Sequence, residues 1–285
     1  MSEAKSLKIK LHNGIMMPQV GFGTYRIQDQ AIGVKAIAHA INSGYELLDT
    51  ADIYRNHHIV REGIKQSNKN RNELFITTKL WPVSKDIKIY KDDFGVFLKQ
   101  LDTDYIDLLI VHWPLPFGKV AYEAAEQLYK EGKVRAIGVS NYNKKQLEEL
   151  ISSVEIKPMV NQIELNPNAI RQDVVDFAKA NDIAITSWQT MMEGKVSELE
   201  HFVKLSQKYK VDSPAIALKW AIQKGIAIIP KSVTPSRIET NLNDLALFKL
   251  TEEEIEMIDN LSTEKGMNVD SNNYISPTPA TERVF

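Results

Sequence analysis

Four polar side chains with complementary chemistry follow short apolar runs in the first half of the chain. They are Asp49 and Tyr54 after the run 46–48, Lys79 after the run 74–78, and His112 after the run 106–111. A phenol has an ordinary pKa of about 10, so it donates a proton near pH 7 only where its anion is stabilised. A lysine ammonium can supply that stabilisation. The chemistry therefore requires a fold that brings the ends of these three runs together.

The rest of the chain alternates such runs with stretches in which apolar residues recur at helical spacing. Strands are predicted at 19–24, 46–48, 74–78, 106–111, 134–139, 159–163, 183–187 and 227–229. Helices are predicted at 28–42, then up to 66, and at 87–101, 121–130, 144–152, 170–180, 198–209 and 214–223.

Eight strand–helix units joined by short loops, with no Ser- or Gly-rich linker, favour a closed parallel sheet over an open one. We therefore expect residues 1–285 to form a single α/β domain, a (β/α)8 TIM barrel. In such barrels the functional site lies at the carboxyl ends of the strands, where the four polar residues stand.

The two ends of the chain are expected to add small elements to the barrel. Asn13-Gly14 lies between the strand-like runs 7–11 and 15–20, which predicts an N-terminal β-hairpin. Residues 267–285 are polar and include two prolines, which predicts a short irregular C-terminal tail against one barrel end.

The start of the chain lacks the usual signature of an open dinucleotide-binding sheet. That signature places three glycines in the pattern Gly-x-Gly-x-x-Gly after the first strand. Here Gly21 and Gly23 are followed by Arg26 at the third position. The Rossmann alternative is therefore disfavoured.

Composition narrows the classes of function. The net charge of −2 comes from 35 basic and 37 acidic residues without a block of like charge, so no nucleic-acid or membrane partner is expected. The absence of cysteine excludes disulfides, thiolate metal sites and a cysteine nucleophile. The sequence shows neither an apolar leader nor a run of about 18 apolar residues. We expect a cytoplasmic protein.

The adjacent histidines at positions 57 and 58 do not predict a metal site. Neighbouring side chains on a helix point about 100° apart, and no carboxylate stands at ligand spacing. Both His57 and His58 are expected at the protein surface.

Six short motifs, agreeing in order and spacing, resemble the aldo-keto reductase family over essentially the whole chain. They are Asp-Thr-Ala at 49–51 with Tyr54, Thr-Lys-Leu-Trp at 78–81, Val-His-Trp-Pro at 111–114, Gly-Val-Ser-Asn at 138–141, Asn-Gln at 161–162, and Ile-Pro-Lys-Ser at 229–232. The segment 185–191 is most similar to bacterial members that reduce 2,5-diketo-D-gluconate and methylglyoxal.

The resemblance implies NADPH-dependent reduction of aldehydes, dicarbonyls such as methylglyoxal, and keto sugars such as 2,5-diketogluconate. Hydride would come from the nicotinamide and the proton from Tyr54. Lys79 would lower the pKa of Tyr54, and Asp49 would hold Lys79 in place. A neutral His112 would orient the substrate oxygen.

The same resemblance implies a substrate pocket and a cofactor site. Trp81 and Trp113 would wall the pocket beside Tyr54 and His112, with plain core packing as the alternative for the two indoles. The expected cofactor-binding residues are Thr24, Asp49, Ser140, Asn141, Gln162, Trp188, Lys231, Ser232, Arg237 and Asn241.

Within this set, three groups would bind different parts of NADPH. Ser140, Asn141 and Gln162 would bind the carboxamide, and Trp188 would stack on the nicotinamide. The 2′-phosphate would contact three residues: Lys231, Ser232 and Arg237. Thr240 stands where many relatives carry an acidic residue, which predicts a weaker adenine contact.

Two functions follow from the resemblance. The first is a monomeric reductase whose partner is a small-molecule carbonyl substrate. The second is a nucleotide-binding regulatory subunit that keeps the fold with little turnover, and the intact set of four polar residues speaks against it.

Overall fold

The structure, a computed structural model, describes residues 6–267. The strands are β1 (Lys8–Lys10), β2 (Met16–Pro18), β3 (Gly21–Gly23), β4 (Leu47–Asp49), β5 (Phe75–Leu80), β6 (Ile106–Val111), β7 (Val134–Ser140), β8 (Val160–Glu164), β9 (Ala184–Trp188) and β10 (Ala227–Ile228). The helices are α1 (Gln30–Ser43), α2 (His57–Gln66), α3 (Ile87–Leu101), α4 (Gly118–Lys130), α5 (Lys144–Ile151), α6 (Gln172–Ala180), α7 (Glu200–Tyr209), α8 (Ser213–Gln223), α9 (Pro235–Asn243) and α10 (Glu252–Asp259).

Strands β3 to β10 form one parallel sheet in sequence order. The two outer strands of this sheet meet, because Val20 bridges Ile228 and the backbone N–H of Ile228 donates to the carbonyl of Gln19 at 2.9 Å. The expected (β/α)8 barrel is thereby confirmed. All residues of β5 and β6 are buried, as expected for barrel strands that are covered by helices on the outside.

A glycine is required where the barrel closes. A Cβ at Gly23 would lie 2.7 Å from the backbone oxygen of Ile229, closer than real Cβ contacts allow. The missing side chain lets the N–H of Gly23 donate to the carbonyl of Pro230 at 3.0 Å. This close approach sets the loop after β3 against the loop after β10, and both loops line the cleft described below.

The N-terminal hairpin is confirmed, with β1 and β2 antiparallel. Its turn is longer than a two-residue Asn-Gly connection, since the N–H of Leu11 donates to the carbonyl of Ile15 at 2.8 Å. Gly14 alone takes a positive φ there, at 89°. The predicted C-terminal tail beyond Met267 lies outside the described residues.

The segment after β4 differs from the sequence-based expectation of a helix that runs directly to Gln66. A single 3₁₀ turn, Asp52–Tyr54, comes first, and Arg55 at a φ of 53° ends it before α2 begins. Tyr54 therefore sits at the end of a short turn on the barrel rim. Within residues 6–267, no helix is long and apolar enough to cross a membrane.

Candidate active site

A buried ion pair lies at the carboxyl ends of β4 and β5. Asp49 is paired with Thr77 in the sheet register, and Lys79 lies two residues further along β5 on the same face. The Nζ of Lys79 is 2.6 Å from Oδ1 of Asp49 and donates to the carbonyl of Thr50 at 2.8 Å. Neither side chain is more than 3% exposed. The predicted anchoring of Lys79 by Asp49 thus has direct geometric support.

Two further groups hold Asp49 in place. The side-chain amide of Gln162, from β8 across the barrel, donates to the second carboxylate oxygen at 2.8 Å. The hydroxyl of Thr24 donates to the backbone carbonyl of Asp49 at 2.9 Å. Thr24 is fully buried behind the site, and its hydroxyl holds the backbone of Asp49 in position.

Tyr54 lies above this ion pair and between two other rings. Its ring centroid is 5.1 Å from the Nζ of Lys79 and 5.8 Å from the ring centroid of His112. The ring of Tyr25 tilts against it from the outside at 5.0 Å. The phenol, the ammonium and the imidazole therefore converge on one mouth of the barrel.

The pKa of Tyr54 is shifted opposite to the sequence-based expectation. Burial, followed by the negative charge of Asp49, raises the pKa of the phenol well above its ordinary value. The ammonium of Lys79, paired with the carboxylate 2.6 Å away, does not outweigh these two effects. Tyr54 is therefore held in its protonated form, which is the form that a proton donor requires.

Burial also sets the state of the two basic groups. It lowers the pKa of Lys79, and the charge of Asp49 opposes that effect. The pKa of His112 lies well below its ordinary value through burial and then through the charge of Lys79. His112 is thus neutral near pH 7, which is the condition set for its role in orienting the substrate. Within residues 6–267 its buried Nδ1 has no hydrogen-bond partner.

A cleft of about 1250 Å³ opens above these residues. It is lined by nearly all of the predicted site: Asp49, Tyr54, Trp81, His112, Trp113, Ser140, Asn141, Gln162, Trp188, Lys231, Ser232, Arg237 and Asn241. Lys79 and Thr24 lie beneath it. Trp81 packs edge-on against His112 with ring centroids 5.2 Å apart, so this indole forms part of the cleft wall beside His112.

Hydrogen bonds link the side chains at the ends of β7, β8 and β9. The indole N–H of Trp188 donates to Oδ1 of Asn141 at 3.1 Å, and the amide of Asn141 donates to the carbonyl of His112 at 3.0 Å. The hydroxyl of Ser140 donates to the carbonyl of Gln162 at 2.7 Å. These contacts fix amide and indole groups along one wall of the cleft, next to His112.

The opposite end of the cleft carries unpaired positive charge at the start of α9. Neither Lys231 nor Arg237 forms an ion pair with any carboxylate in the part of the chain that the structure describes. The N-cap residue Thr234 makes no side-chain capping bond, and α9 begins with Pro235, so the side chain of Thr234 does not satisfy the N–H groups that follow in the first turn. Two cations, the Ser232 hydroxyl and a helix N-terminus form a donor set that fits a phosphate.

Two buried residues beside the site differ from the sequence-based expectations: no role was predicted for Asn56, and His57 was expected at the surface. The amide of Asn56, fully buried, accepts from the Thr50 hydroxyl at 2.8 Å and donates to the carbonyl of Thr24 at 2.9 Å. The expectation of a surface His57 was wrong, since that side chain is only 2% exposed, whereas His58 is exposed as expected.

His57 is buried because α2 turns it towards β5 and α3. Its Nδ1 lies 3.0 Å from Oε1 of Gln100, which can only accept, and its Nε2 lies 2.9 Å from the hydroxyl of Thr78. The ring also packs edge-on against Phe97. The sequence does contain a polar partner for each ring nitrogen, Gln100 on α3 and Thr78 on β5. Their pairing with His57 can be recognised only when the three elements are placed together.

Comparison with known proteins shows that the chain belongs to the aldo/keto reductase family, whose model matches residues 19–263. It is similar to the glyoxal reductase of Bacillus subtilis (strain 168), with 38% identity over 90% of this chain and 93% of the relative. It is also similar to the methylglyoxal reductase DkgA of Escherichia coli (strain K12), with 35% identity over 93% of this chain and 97% of the relative.

Among solved structures, the aldo-keto reductase of Bombyx mori in complex with NADP matches with a TM-score of 0.87. The two sequences are 29% identical, and the match covers 93% of this chain and 96% of that chain. Membership in this family makes the chain an NADPH-dependent oxidoreductase that acts on carbonyl groups. In residues 6–267, no group of three histidines and carboxylates could hold a metal ion.

The burial of His57 predicts a specific loss of stability in acid. Burial, partly opposed by the hydrogen bond that His57 donates to Gln100, lowers the pKa of His57 from 6.5 to about 4. Between these values the unfolded chain binds the proton and the folded chain does not, so stability falls as the pH falls from 6.5 to 4. His57 contributes about 3 kcal/mol to this loss in the free energy of unfolding.

Urea denaturation of the wild type and His57→Gln over this pH range measures that contribution. Glutamine keeps a donor and an acceptor but does not titrate, so the variant should lose correspondingly less stability in acid. His58→Gln, at the exposed neighbouring position, is the matched control. Equal pH dependence in all three proteins would contradict the burial of a neutral imidazole.

Proposed function

We propose that this protein reduces short aldehydes and dicarbonyls such as methylglyoxal, and keto sugars such as 2,5-diketogluconate, with Tyr54 as the proton donor. The observation that carries the proposal is the convergence of Tyr54, Lys79 and His112 on the cleft. The ring centroid of Tyr54 lies 5.1 Å from the Lys79 ammonium and 5.8 Å from the His112 ring. NADPH, when bound, supplies the hydride.

Tyr54 has the protonation state that the reaction needs. Its raised pKa keeps the phenol protonated at neutral pH, and an alkoxide forming on the substrate is a stronger base than a phenolate. As the proton leaves, negative charge appears on the Tyr54 oxygen. The Lys79 ammonium beneath the ring would stabilise that charge without any rearrangement of the site.

His112 is suited to bind the carbonyl oxygen of the substrate. A neutral imidazole has one N–H donor and one acceptor nitrogen, and the low pKa of His112 keeps it neutral. It therefore orients the oxygen towards Tyr54 without competing as an acid. The indole of Trp81, edge-on to this ring, would keep the imidazole from turning away.

The walls of the cleft support small carbonyl substrates. Tyr25, Trp81 and Trp113 line the same cleft as Tyr54 and His112 and give it aromatic surface. Two relatives are called glyoxal reductase and methylglyoxal reductase, and both cover nearly the whole chain. We therefore place short dicarbonyls first among the proposed substrates.

The cofactor would lie along the cleft from Trp188 to the start of α9. Trp188 would stack on the nicotinamide, and Ser140, Asn141 and Gln162 would bind its carboxamide. The 2′-phosphate would contact Lys231, Ser232 and Arg237, whose donors are described above, and Asn241 lines the cleft beyond them. This arrangement favours NADPH over NADH.

We further propose that the chain acts as one domain and as a monomer in the cytoplasm. The family match over residues 19–263 supports a single functional unit. The absence of cysteine suits a reducing compartment. A net charge of −2 without basic blocks supports the absence of a nucleic-acid partner.

Replacing Tyr54 tests the proton-donor role directly. Tyr54→Phe should lower kcat for methylglyoxal reduction by about 100- to 10,000-fold, the usual contribution of a positioned acid, while leaving the Kd for NADPH nearly unchanged. Turnover is followed by the absorbance of the reduced nicotinamide, and binding by the quenching of tryptophan fluorescence.

The matched control is Tyr105→Phe, which removes a phenolic hydroxyl at the start of β6, at the opposite end of the barrel. It should retain wild-type turnover. If Tyr54→Phe kept most of its activity, the phenol would have no role as the acid. If the wild type reduced no aldehyde, dicarbonyl or ketose while still binding NADPH, the proposed activity itself would fail.

Replacing Arg237 tests the assignment of the phosphate end. Arg237→Ala should weaken NADPH binding by about ten- to a hundredfold, because a charge-assisted hydrogen bond is lost. NADH lacks the 2′-phosphate and serves as the internal control, so its Kd should change little. An equal loss for both nucleotides would contradict a contact between Arg237 and the phosphate.

A further inference from the structure

Asn56 is the N-cap residue of α2, two positions after Tyr54, yet its side chain does not cap that helix. Asparagine is favoured at an N-cap because its side-chain oxygen accepts a hydrogen bond from an N–H group of the first turn. Among the contacts of the described chain, the Asn56 side chain forms no such bond with α2. The fully buried amide is directed to the loops of the active site instead.

The Asn56 amide joins two loops that follow neighbouring strands. Its oxygen accepts a hydrogen bond from the hydroxyl of Thr50 at 2.8 Å, in the loop after β4. Its nitrogen donates to the carbonyls of Thr24 at 2.9 Å and Ile27 at 3.2 Å, in the loop after β3. The oxygen and the nitrogen of this buried amide are therefore both satisfied, and their partners lie at the ends of β3 and β4.

Both loops also bind the buried ion pair. The hydroxyl of Thr24 donates to the backbone carbonyl of Asp49 at 2.9 Å, and the N–H of Thr24 donates to the same oxygen at 3.0 Å. The carbonyl of Thr50 accepts from the ammonium of Lys79 at 2.8 Å. Asn56 therefore connects the two loops that hold Asp49 and Lys79.

The turn that carries Tyr54 needs contacts to hold its shape. Arg55, between Tyr54 and Asn56, has a φ of 53°, in the left-handed region that residues other than glycine seldom adopt. Such a conformation is unfavourable and persists where surrounding contacts hold it. The Asn56 amide fixes the chain after Arg55, and the side chain of Gln28 donates to the carbonyl of Tyr54 at 2.9 Å before it. The loop after β3 thus holds both sides of Arg55.

We propose that Asn56 is a positioning residue for proton transfer, whose amide sets the phenol of Tyr54 over the ammonium of Lys79 by joining the loop after β3 to the loop after β4. This inference rests on the proposed role of Tyr54 as the proton donor and adds a residue that acts through it. Proton transfer requires the donor oxygen within hydrogen-bond reach of its acceptor, and a misplacement of about 1 Å can lower a rate about a hundredfold. Without the amide, the turn around Arg55 relaxes and the phenol moves.

The test measures the single-turnover rate of methylglyoxal reduction, with enzyme in excess over NADPH, from the absorbance of the reduced nicotinamide. Asn56→Ala should lower this rate by about 10- to 100-fold, because the phenol is no longer held in place. The Kd for NADPH, measured by the quenching of tryptophan fluorescence, should stay near its wild-type value, because the buried amide binds groups of the protein.

A comparison in the Tyr54→Phe background separates positioning from a general loss of structure. Without the phenolic hydroxyl there is no proton donor to position, so adding Asn56→Ala should cause little further loss of rate. The same fold-loss in both backgrounds would overturn the proposal. A folded Asn56→Ala enzyme with the wild-type rate would overturn it too.

Asn166→Ala is the matched control. Asn166 is also fully buried, in the loop after β8, where its side chain donates to Glu164 at 3.2 Å and accepts from the N–H of Asn168 at 3.0 Å. This variant should lose thermal stability as Asn56→Ala does but keep the wild-type rate, because its hydrogen bonds do not hold the turn of Tyr54.

Thr50→Val decides the question if Asn56→Ala fails to fold. Valine keeps the shape of threonine and removes the hydroxyl that binds Asn56, so a smaller loss of rate should appear and again vanish in the Tyr54→Phe background. A wild-type rate in Thr50→Val would then overturn the proposal. Full activity of Tyr54→Phe, or a wild type that reduces no carbonyl substrate, would instead overturn the proposed function.

Discussion

The buried pair of Asp49 and Lys79 is the interaction on which the rest of the site depends. Removing a carboxylate and an ammonium from water is costly, and their attraction offsets that cost only where the geometry is good and the other polar atoms are satisfied. Here the second carboxylate oxygen is bonded by Gln162 and the ammonium also bonds the carbonyl of Thr50. The two charges are therefore satisfied within the protein, and each still acts on its neighbour: Asp49 raises the pKa of Tyr54, and Lys79 lowers the pKa of His112.

The barrel is what makes this pair possible. Asp49 and Gln162 are 113 residues apart in sequence, yet their side chains are 2.8 Å apart, because β4 and β8 face each other across a closed sheet. Closure depends on the bridge between Val20 and Ile228, where Gly23 permits close approach. The same closure sets the loop that carries Lys231 beside the loop after β3, so one cleft joins Tyr54 and His112 to the phosphate end.

Much of this could be predicted from local sequence, and the exceptions have a common cause. The bounds of α3 and β6 agree with the apolar pattern, since a buried run and an amphipathic helix each have a distinct period. The convergence of the strand ends at one rim followed from the count of eight strands, because eight strand–helix units predict a closed parallel barrel. The burial of His57 depends on Gln100 and Thr78, which lie on other elements. The raised pKa of Tyr54 depends first on its burial in the folded barrel and then on the charge of Asp49. Neither the burial of His57 nor the pKa of Tyr54 is determined by a short stretch of sequence alone.

A double-mutant cycle on the ion pair tests the central claim most directly. The free energy of unfolding is measured by urea denaturation for the wild type, Asp49→Asn, Lys79→Met and the double variant. Each single variant leaves one buried group without its partner and should lose about 3–5 kcal/mol. The double variant should lose much less than the sum of the two single losses. Strictly additive losses would show that the carboxylate and the ammonium do not compensate each other, and the account of a coupled ion pair beneath Tyr54 would be wrong.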